Sequence, residues 1–282
     1  MVKTRLDHCL LSVSQNQIIK LIGVAKSVCF YQSKRIVKDE ELKDKILSIL
    51  ETNPSYGHRR IAIALNTGRK RVRRVMNLYG IKPYKRKARW TKRRDLNKLE
   101  SIFTNQIKGC FPIVPNHTWV SDFTYLRYNS RFIYLATFMD LYTREIVGWH
   151  LSARHTKDLV INAFLDGFQN KGVIPKIAHS DQGSEYNSKE YVKLMTNLGV
   201  TISMSQKSSP WQNAYQESFY NNFKTDLGLE FDRFDSIGHF IEAIYQTINY
   251  YNHKRIHTTL KMSPSLFRQQ YQLHQSYIHK LV

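Results

Sequence analysis

Only three of the 282 residues are cysteine, and Cys9, Cys29 and Cys110 lie far apart in no Cys-x-x-Cys or His-x-x-x-His spacing. An odd, scattered set supports neither a disulfide framework nor a zinc site, and reads as free thiols. Long apolar runs are also missing. Those present, such as Phe132 to Ala136, fall far short of the roughly 20 apolar residues that span a bilayer. The basic N-terminus is not followed by a long apolar stretch with a small-residue cleavage site, so the expectation is a cytoplasmic chain with no membrane partner. Internal repeats and low-complexity segments are lacking as well. Acidic residues are scarce: 22 Asp and Glu face 43 Lys and Arg, a formal net charge of +21.

That excess is unevenly placed. Residues 1–100 hold 25 basic and 8 acidic side chains, against 18 and 14 in the remaining 182. Such asymmetry is the electrostatic footprint of a polyanion-binding N-terminal part joined to a near-neutral domain, and nucleic acid is the leading candidate partner. Ser14 to Tyr31 shows two short helical patterns separated by Gly23, a helix-turn-helix outline. A second helical region runs from Lys38 to Gly80. Leu42, Ile46, Ile49 and Leu50 share one face of its first helix, Asn53-Pro54 stops it, and Ser55 can cap the next, which turns Ile61, Ala64 and Leu65 inward. In the third helix Val72, Val75, Met76 and Tyr79 form the apolar stripe. Arg69, Lys70, Arg71, Arg73 and Arg74 take its other faces, and Arg59 and Arg60 lie on the preceding helix. One packed stripe with basic residues elsewhere is what a helix lying in a major groove needs, the alternative being a solvated basic face. The stretch "KPYKRKARWTKRR" (82–94), with Lys85, Arg86 and Lys87, reads as a linker that neutralises phosphates without reading sequence.

From Trp119 the pattern changes to strands. Thr118 to Tyr128, Arg131 to Tyr142 and Glu145 to Ser152 are rich in β-branched and aromatic residues, and turn formers separate them. A helical pattern with Leu159, Val160, Ala163, Phe164 and Phe168 comes next, then a strand through Ile177-Ala178, a helix from about Ser188 to Leu198, a strand from Val200 to Met204 and a helix opening near Asn213. The tail places Ile237, Phe240, Ile241, Ile244, Ile248 and Tyr251 on one face of a long helix. A three-strand meander succeeded by alternating helix and strand predicts an α/β sheet of mixed direction with flanking helices. The expected division is a helix-turn-helix-like segment at 1–35, a helical DNA-binding domain at 36–81, a basic linker at 82–112, a catalytic core at 113–235 and a helical tail at 236–282.

Three carboxylates stand out. Asp122 lies mid-strand on the face of Val120, Thr124 and Leu126, where a carboxylate is costly unless paired, hydrated or metal-bound. Asp181, in "HSDQGSEYNS" (179–188), comes directly after the end of a short apolar strand, where α/β sheets place their chemistry. Glu217 lies one turn inside the helix opened at Asn213. All three could meet at one sheet edge, where their repulsion calls for a hard divalent cation and suggests metal-assisted chemistry on phosphodiesters. Singly, Asp122 reads as well as a buried Asp bonded to backbone amides, Asp181 as a turn residue, and Glu217 as an exposed helix residue. Glu185, in the same stretch as Asp181, reads as a surface residue or one at the start of the next helix.

Between Asp122 and Asp181 lie 58 residues, and between Asp181 and Glu217 lie 35. With the words "WVSDFTYL" (119–126), "HSDQGSEY" (179–186), "NAYQESFYNNFKTDL" (213–227), "YYNHKRIHTTLKMSP" (250–264) and "NPSYGHRRIAIALN" (53–66), the chain resembles the DDE transposases of bacterial insertion sequences, relatives of retroviral integrases. The resemblance implies a ribonuclease-H-like mixed five-stranded sheet with flanking helices, preceded by all-α helix-turn-helix segments. It implies that Asp122, Asp181 and Glu217 are the catalytic residues and hold Mg²⁺ or Mn²⁺, as two ions. It further implies terminal inverted-repeat binding, hydrolytic 3′-end nicking and strand transfer on double-stranded DNA without a covalent protein–DNA intermediate. The same likeness implies a bacterial cytoplasmic protein, nucleoid-associated when on DNA and acting as a homo-oligomer. The zinc module of retroviral integrases is absent, and members of this group are often fused to an upstream-frame DNA-binding protein. Asp140 is a decoy by spacing, a hairpin residue. His179 and Gln182 flank Asp181 and are candidates to orient it or the DNA, while Asn252, Arg255 and His257 of the tail are candidates to contact DNA or the active-site helix. Two rival readings are a non-catalytic DNA-binding regulator of its own element and a ribonuclease-H-like nuclease.

Overall fold

Strands β1 (Thr118–Tyr128), β2 (Arg131–Asp140) and β3 (Ile146–Ser152) form where β-branched and aromatic residues are densest. A computed structural model describes residues 15–29, 34–85, 103–109, 112–206, 213–228 and 233–279. In it the three strands make an antiparallel meander, with Trp119 opposite Asp140 and Tyr128 opposite Arg131. Asn129 and Ser130 both take positive φ, the tight hairpin geometry that matches strand twist. Helix α6 (Lys157–Lys171) then leads to β4 (Ile177–Ser180), and α7 (Lys189–Asn197) to β5 (Thr201–Met204). Both of these strands run parallel to β1 on its free side, giving the order β3-β2-β1-β4-β5. The mixed five-stranded sheet expected from the sequence is the sheet observed.

Alternation along β1 builds two cores. Trp119 joins Phe138, Ala163, Phe164 and Met195 under α6 and α7. Val120 and Leu126 point the other way, against Phe219 and Phe223 of α8 (Ala214–Leu227) and Phe240, Ile244 and Ile248 of α9 (Ile237–His253). Ile237 and Ile241 of α9 are exposed, because its packed stripe runs through Phe240, Ile244, Ile248 and Tyr251 instead. The tail also holds a further helix, α10 (Pro264–His279), whose Phe267 and Tyr271 pack on Tyr142. No described helix is long and apolar enough to cross a membrane.

Ahead of the sheet lie α1 (Gln15–Ile22), α2 (Lys26–Cys29), α3 (Lys34–Thr52), α4 (His58–Ala64) and α5 (Arg69–Leu78). Gly23, between α1 and α2, takes φ +67°, as the turn between them requires. Helices α3 to α5 share a small core of Leu42, Ile46, Tyr56, Ile61, Ala62, Val72, Val75 and Met76. Three local expectations fail. Tyr79, expected in the apolar stripe, is exposed just past the end of α5. Ala62, not Ala64, faces inward, and Gly57 rather than Ser55 precedes α4. Ser55 Oγ donates instead to Asp226 Oδ1 at 2.6 Å, a long-range partner that outcompetes the cap.

Candidate active site

The parallel pairing of β1 and β4 sets Val120 opposite His179. Two residues beyond that pair come Asp122, on β1, and Asp181, just past the end of β4, near enough for the charge of Asp181 to act on Asp122. Both are half-buried. Helix α8 is fastened to the same stretch of β1 by side chains that satisfy buried carbonyls: Asn213 Nδ2 donates to Ser121 O (3.0 Å), Gln216 Nε2 to Val120 O (2.6 Å), and Tyr220 Oη to Asp122 O (2.6 Å). Glu217, exposed and next to Gln216, therefore lies at this sheet edge.

The electrostatics reflect the crowding. Burial, then the charge of Asp181, pushes the Asp122 carboxyl up to about 7; the Phe123 N–H donated to Oδ1 (2.8 Å) opposes this, and Glu217 adds to it. Burial likewise raises Asp181, against the Gly183 N–H bonded to its Oδ1 at 2.9 Å, with Glu185 adding repulsion. Among the described residues no three Asp, Glu, His or Cys side chains stand close enough to hold one metal ion. The donors at the edge are nonetheless all carboxylate oxygens carrying repulsion that a hard divalent cation would relieve, so their chemistry fits such an ion.

Because the folded-state pKa of Asp122 exceeds the ordinary value near 4, the folded chain binds more protons than the unfolded one between about pH 4 and 7. Metal-free stability therefore falls as pH rises through that window. In chelator, Asp122→Asn should be more stable than wild type at pH 8 by about 1–2 kcal/mol, discounted for the partial solvent access here, and little different at pH 4. Melting curves at the two pH values check this; a pH-independent difference would contradict it.

Of the two readings of Glu185, the helix entry holds: it lies in the turn before α7, where Ser188 Oγ donates to its carbonyl (2.8 Å). It is buried, not at the surface: Oε1 meets His155 Nε2 and Ser184 Oγ, each at 3.0 Å, and His155 packs on the rings of Phe123 and Tyr134. A Cβ at Gly183 would stand 2.9 Å from Glu185 Oε2 and 3.1 Å from Asp181 Oδ1, so glycine there makes room for two carboxylates. His179 is buried with Nδ1 2.8 Å from Ser203 Oγ on β5, and Gln182 Nε2 donates to Ser205 O, one residue past the end of β5. Both bonds tie β4 and its loop to the neighbouring strand. Asp140 is a buried turn residue, accepting from Thr143 Oγ1 (2.8 Å) and Tyr142 N (3.2 Å).

The basic candidates divide. Arg59, Arg69, Lys70, Arg73 and Lys85 are exposed, and Arg71 is exposed with Nη2 on Lys38 O. Besides burial, the charges of Arg73, Arg59, Arg69 and Lys85 lower the pKa of His58, which locates a concentrated positive surface. Arg74 braces α5 to α3 through a two-point bond to the buried Asp39 (2.5 and 2.6 Å), so its charge is already matched. Arg60, half-buried, donates from Nε to Ile256 O. Arg255, a DNA contact by expectation, is 2% exposed, with Nε on Asp226 Oδ2 and Nη2 on Asn222 Oδ1. It grips the helix that carries Glu217 and has no face left for a phosphate. Asn252 likewise serves the fold, pairing with both N and O of Ile146. Arg86 and Lys87 lie outside the described residues.

Residues 114–210 and 198–264 each match a family described as Integrase core domain. The transposase for insertion sequence element IS904 of Lactococcus lactis subsp. lactis is 35% identical over 238 residues, covering 81% of this chain and 93% of that protein. The uncharacterized 31 kDa protein of insertion element IS600 from Shigella sonnei is 33% identical over 268 residues, covering 89% and 97%. Among solved structures, a chain of the simian T-cell lymphotropic virus intasome, in complex with PP2A regulatory subunit B56 gamma, superposes with a TM-score of 0.51. At 16% identity, covering 78% of this chain and 73% of that one, it is a likeness of fold.

Proposed function

The chain belongs to the insertion-sequence transposases that carry an integrase core domain, and from that premise we propose that it binds terminal inverted repeats, nicks the 3′ ends and joins them to target DNA at the edge formed by Asp122, Asp181 and Glu217. The observation that carries this is that Asp122, on β1, and Asp181, just past the end of the parallel neighbour β4, each follow the paired Val120 and His179 by two residues, with the helix of Glu217 bonded to the same stretch of β1. Asp122, Asp181 and Glu217 would hold divalent cations, Mg²⁺ or Mn²⁺, which when bound supply Lewis-acid polarisation of the phosphate and a more acidic attacking hydroxyl. Asp122, within β1, and Asp181, directly after β4, fix the site against the sheet. Glu217, exposed on the face of α8, is the carboxylate free to follow substrate. His155 holds Glu185 beside Asp181 and keeps the loop after β4 in place.

Segment 36–81 would read the DNA ends through Arg59, Arg69, Lys70 and Arg73, and core 113–235 would act on them, as a homo-oligomer on paired ends and together with an upstream-frame DNA-binding protein. Joining of pre-cleaved ends to a target duplex is expected with Mg²⁺, and none in chelator; an RNA–DNA hybrid should compete poorly. Equal product in chelator would refute the proposal. Binding of ends without joining, even after fusion to an upstream frame, would favour a regulator, and preferred cleavage of the hybrid a nuclease.

A further inference from the structure

Arg144 has no part in the chemistry above. It sits in the β2–β3 turn with φ +64°, its guanidinium 3.9 Å from the ring centre of Tyr215 on the first turn of α8, and its Nη1 is buried with no hydrogen-bond partner. Asn252, at the end of α9, clamps Ile146 two residues on, which brings the 254–257 loop to the same place. There His257 Nδ1 is also buried without a partner. From α4, Arg60 reaches Ile256 O with Nε (2.9 Å), its guanidinium 5.7 Å from the ring centre of Tyr56. Burial, then Arg144, Arg60 and Arg255, hold His257 neutral, its pKa down at about 4.

The cations outnumber their anions. Asp226 is taken by Arg255 and by Ser55 Oγ. Glu145, next to Arg144 in sequence, turns away to Lys171 and Arg268. Among the described residues, neither Arg144 nor Arg60 forms an ion pair. Half-buried guanidiniums without a counter-ion are costly, and the cost is relieved by an anion that a planar fork of N–H donors can grip. Arg144, Arg60, His257 and Tyr215 are all half-buried, which leaves each partly open to solvent.

We propose that Arg144, Arg60 and His257 form a seat for one backbone phosphate of the bound duplex, between the α3–α5 module and the catalytic core. Arg144 and Arg60 supply charge, and neutral His257 supplies one N–H. The seat rests on the reading of this chain as a DNA-joining enzyme. A phosphate there touches α4, the β2–β3 turn and, through Tyr215, the helix of Glu217, so DNA held by the module is registered against the candidate catalytic helix.

The test is the salt dependence of binding by the full chain to a mixed-sequence 40-base-pair duplex. Each phosphate neutralised contributes about 0.9 to the slope of log K against log salt. Arg144→Gln removes one of the two cations on that phosphate and should lower that slope by up to about one, and Arg144→Lys should restore it. The melting temperature of Arg144→Gln without DNA should change little, because loss of the Tyr215 ring contact is offset by removal of an unmatched cation. Arg60→Gln carries the same test from the other wall should Arg144→Gln fail to fold. An unchanged slope in the folded variants overturns the seat, as does a lowered melting temperature with the slope intact. If wild type joins ends while the slope does not move, only the seat is lost; if wild type binds no duplex, the transposition chemistry falls with it.

Discussion

Replacing Asp181 by Asn, or Glu217 by Gln, should cut Mg²⁺-dependent joining of pre-cleaved ends by on the order of 100- to 1,000-fold. Both changes keep shape and remove one negative charge. In Asp181→Asn the side-chain amide oxygen could still accept the Gly183 N–H, and Glu217 is exposed, so neither variant should lose its fold. What each loses is an anionic oxygen that balances a divalent cation, and metal polarisation of a phosphate contributes several kcal/mol to such a transition state. Asp140→Asn is the control. Its carboxyl is buried and bonded to Tyr142 and Thr143 of its own turn and to the Asn116 backbone, so joining should stay within about threefold of wild type while stability falls by about 1 kcal/mol. Single-turnover joining, with folding checked by melting, separates the outcomes. Undiminished product in Asp181→Asn or Glu217→Gln would remove the assigned site. A loss in Asp140→Asn as deep as in Asp181→Asn would mean that the carboxylate cluster lies elsewhere.

Much of the sheet was legible because its signals are local. The alternation through Thr118–Tyr128 and the turn at Asn129-Ser130 fix a hairpin without reference to distant residues. That Asp122 lies on a strand, Asp181 just after one and Glu217 inside the helix opened at Asn213 was readable locally. Their choice as one site came from the 58- and 35-residue spacings and the family resemblance, not from position. Pairings between distant segments carry no period and were missed. Glu185 read as a surface or helix-entry residue, and its burial was missed, because nothing near it in sequence announces His155. Arg74 looked like a phosphate ligand, and Arg255 like a contact either to DNA or to the active-site helix, because basic side chains look alike until their partners, Asp39 and Asp226, are placed beside them. Ser55 had the chemistry of a helix cap and was claimed by Asp226 instead. In each case a charged or polar group found a tertiary partner, and burial made that partner obligatory.

The glycines of the core were likewise invisible as packing residues, and Gly148→Ala should have the largest effect on stability. Gly148 lies on β3 where α6 crosses it, and a Cβ there would stand 2.3 Å from both Ala163 O and Gly167 N and 2.5 Å from Gly167 Cα. These are backbone atoms of a helix whose Phe164 is already pressed on Trp119 and Phe138, so no side chain can swing away to relieve the overlap. The helix itself must lift. Overpacking a core usually costs about 1–3 kcal/mol; a methyl against three backbone atoms belongs at or above the top of that range, a fall in melting temperature of roughly 6–12 °C. Gly167→Ala is the graded comparison. Its Cβ would meet Trp119 Cζ3 at 3.1 Å and Gly148 N at 3.4 Å, contacts that a few tenths of an ångström of side-chain movement would ease, so its loss should be smaller. Thermal melts of the two variants in the same buffer decide the point. If Gly148→Ala melts within about 2 °C of wild type, the close crossing of β3 and α6 is not what holds this face of the sheet.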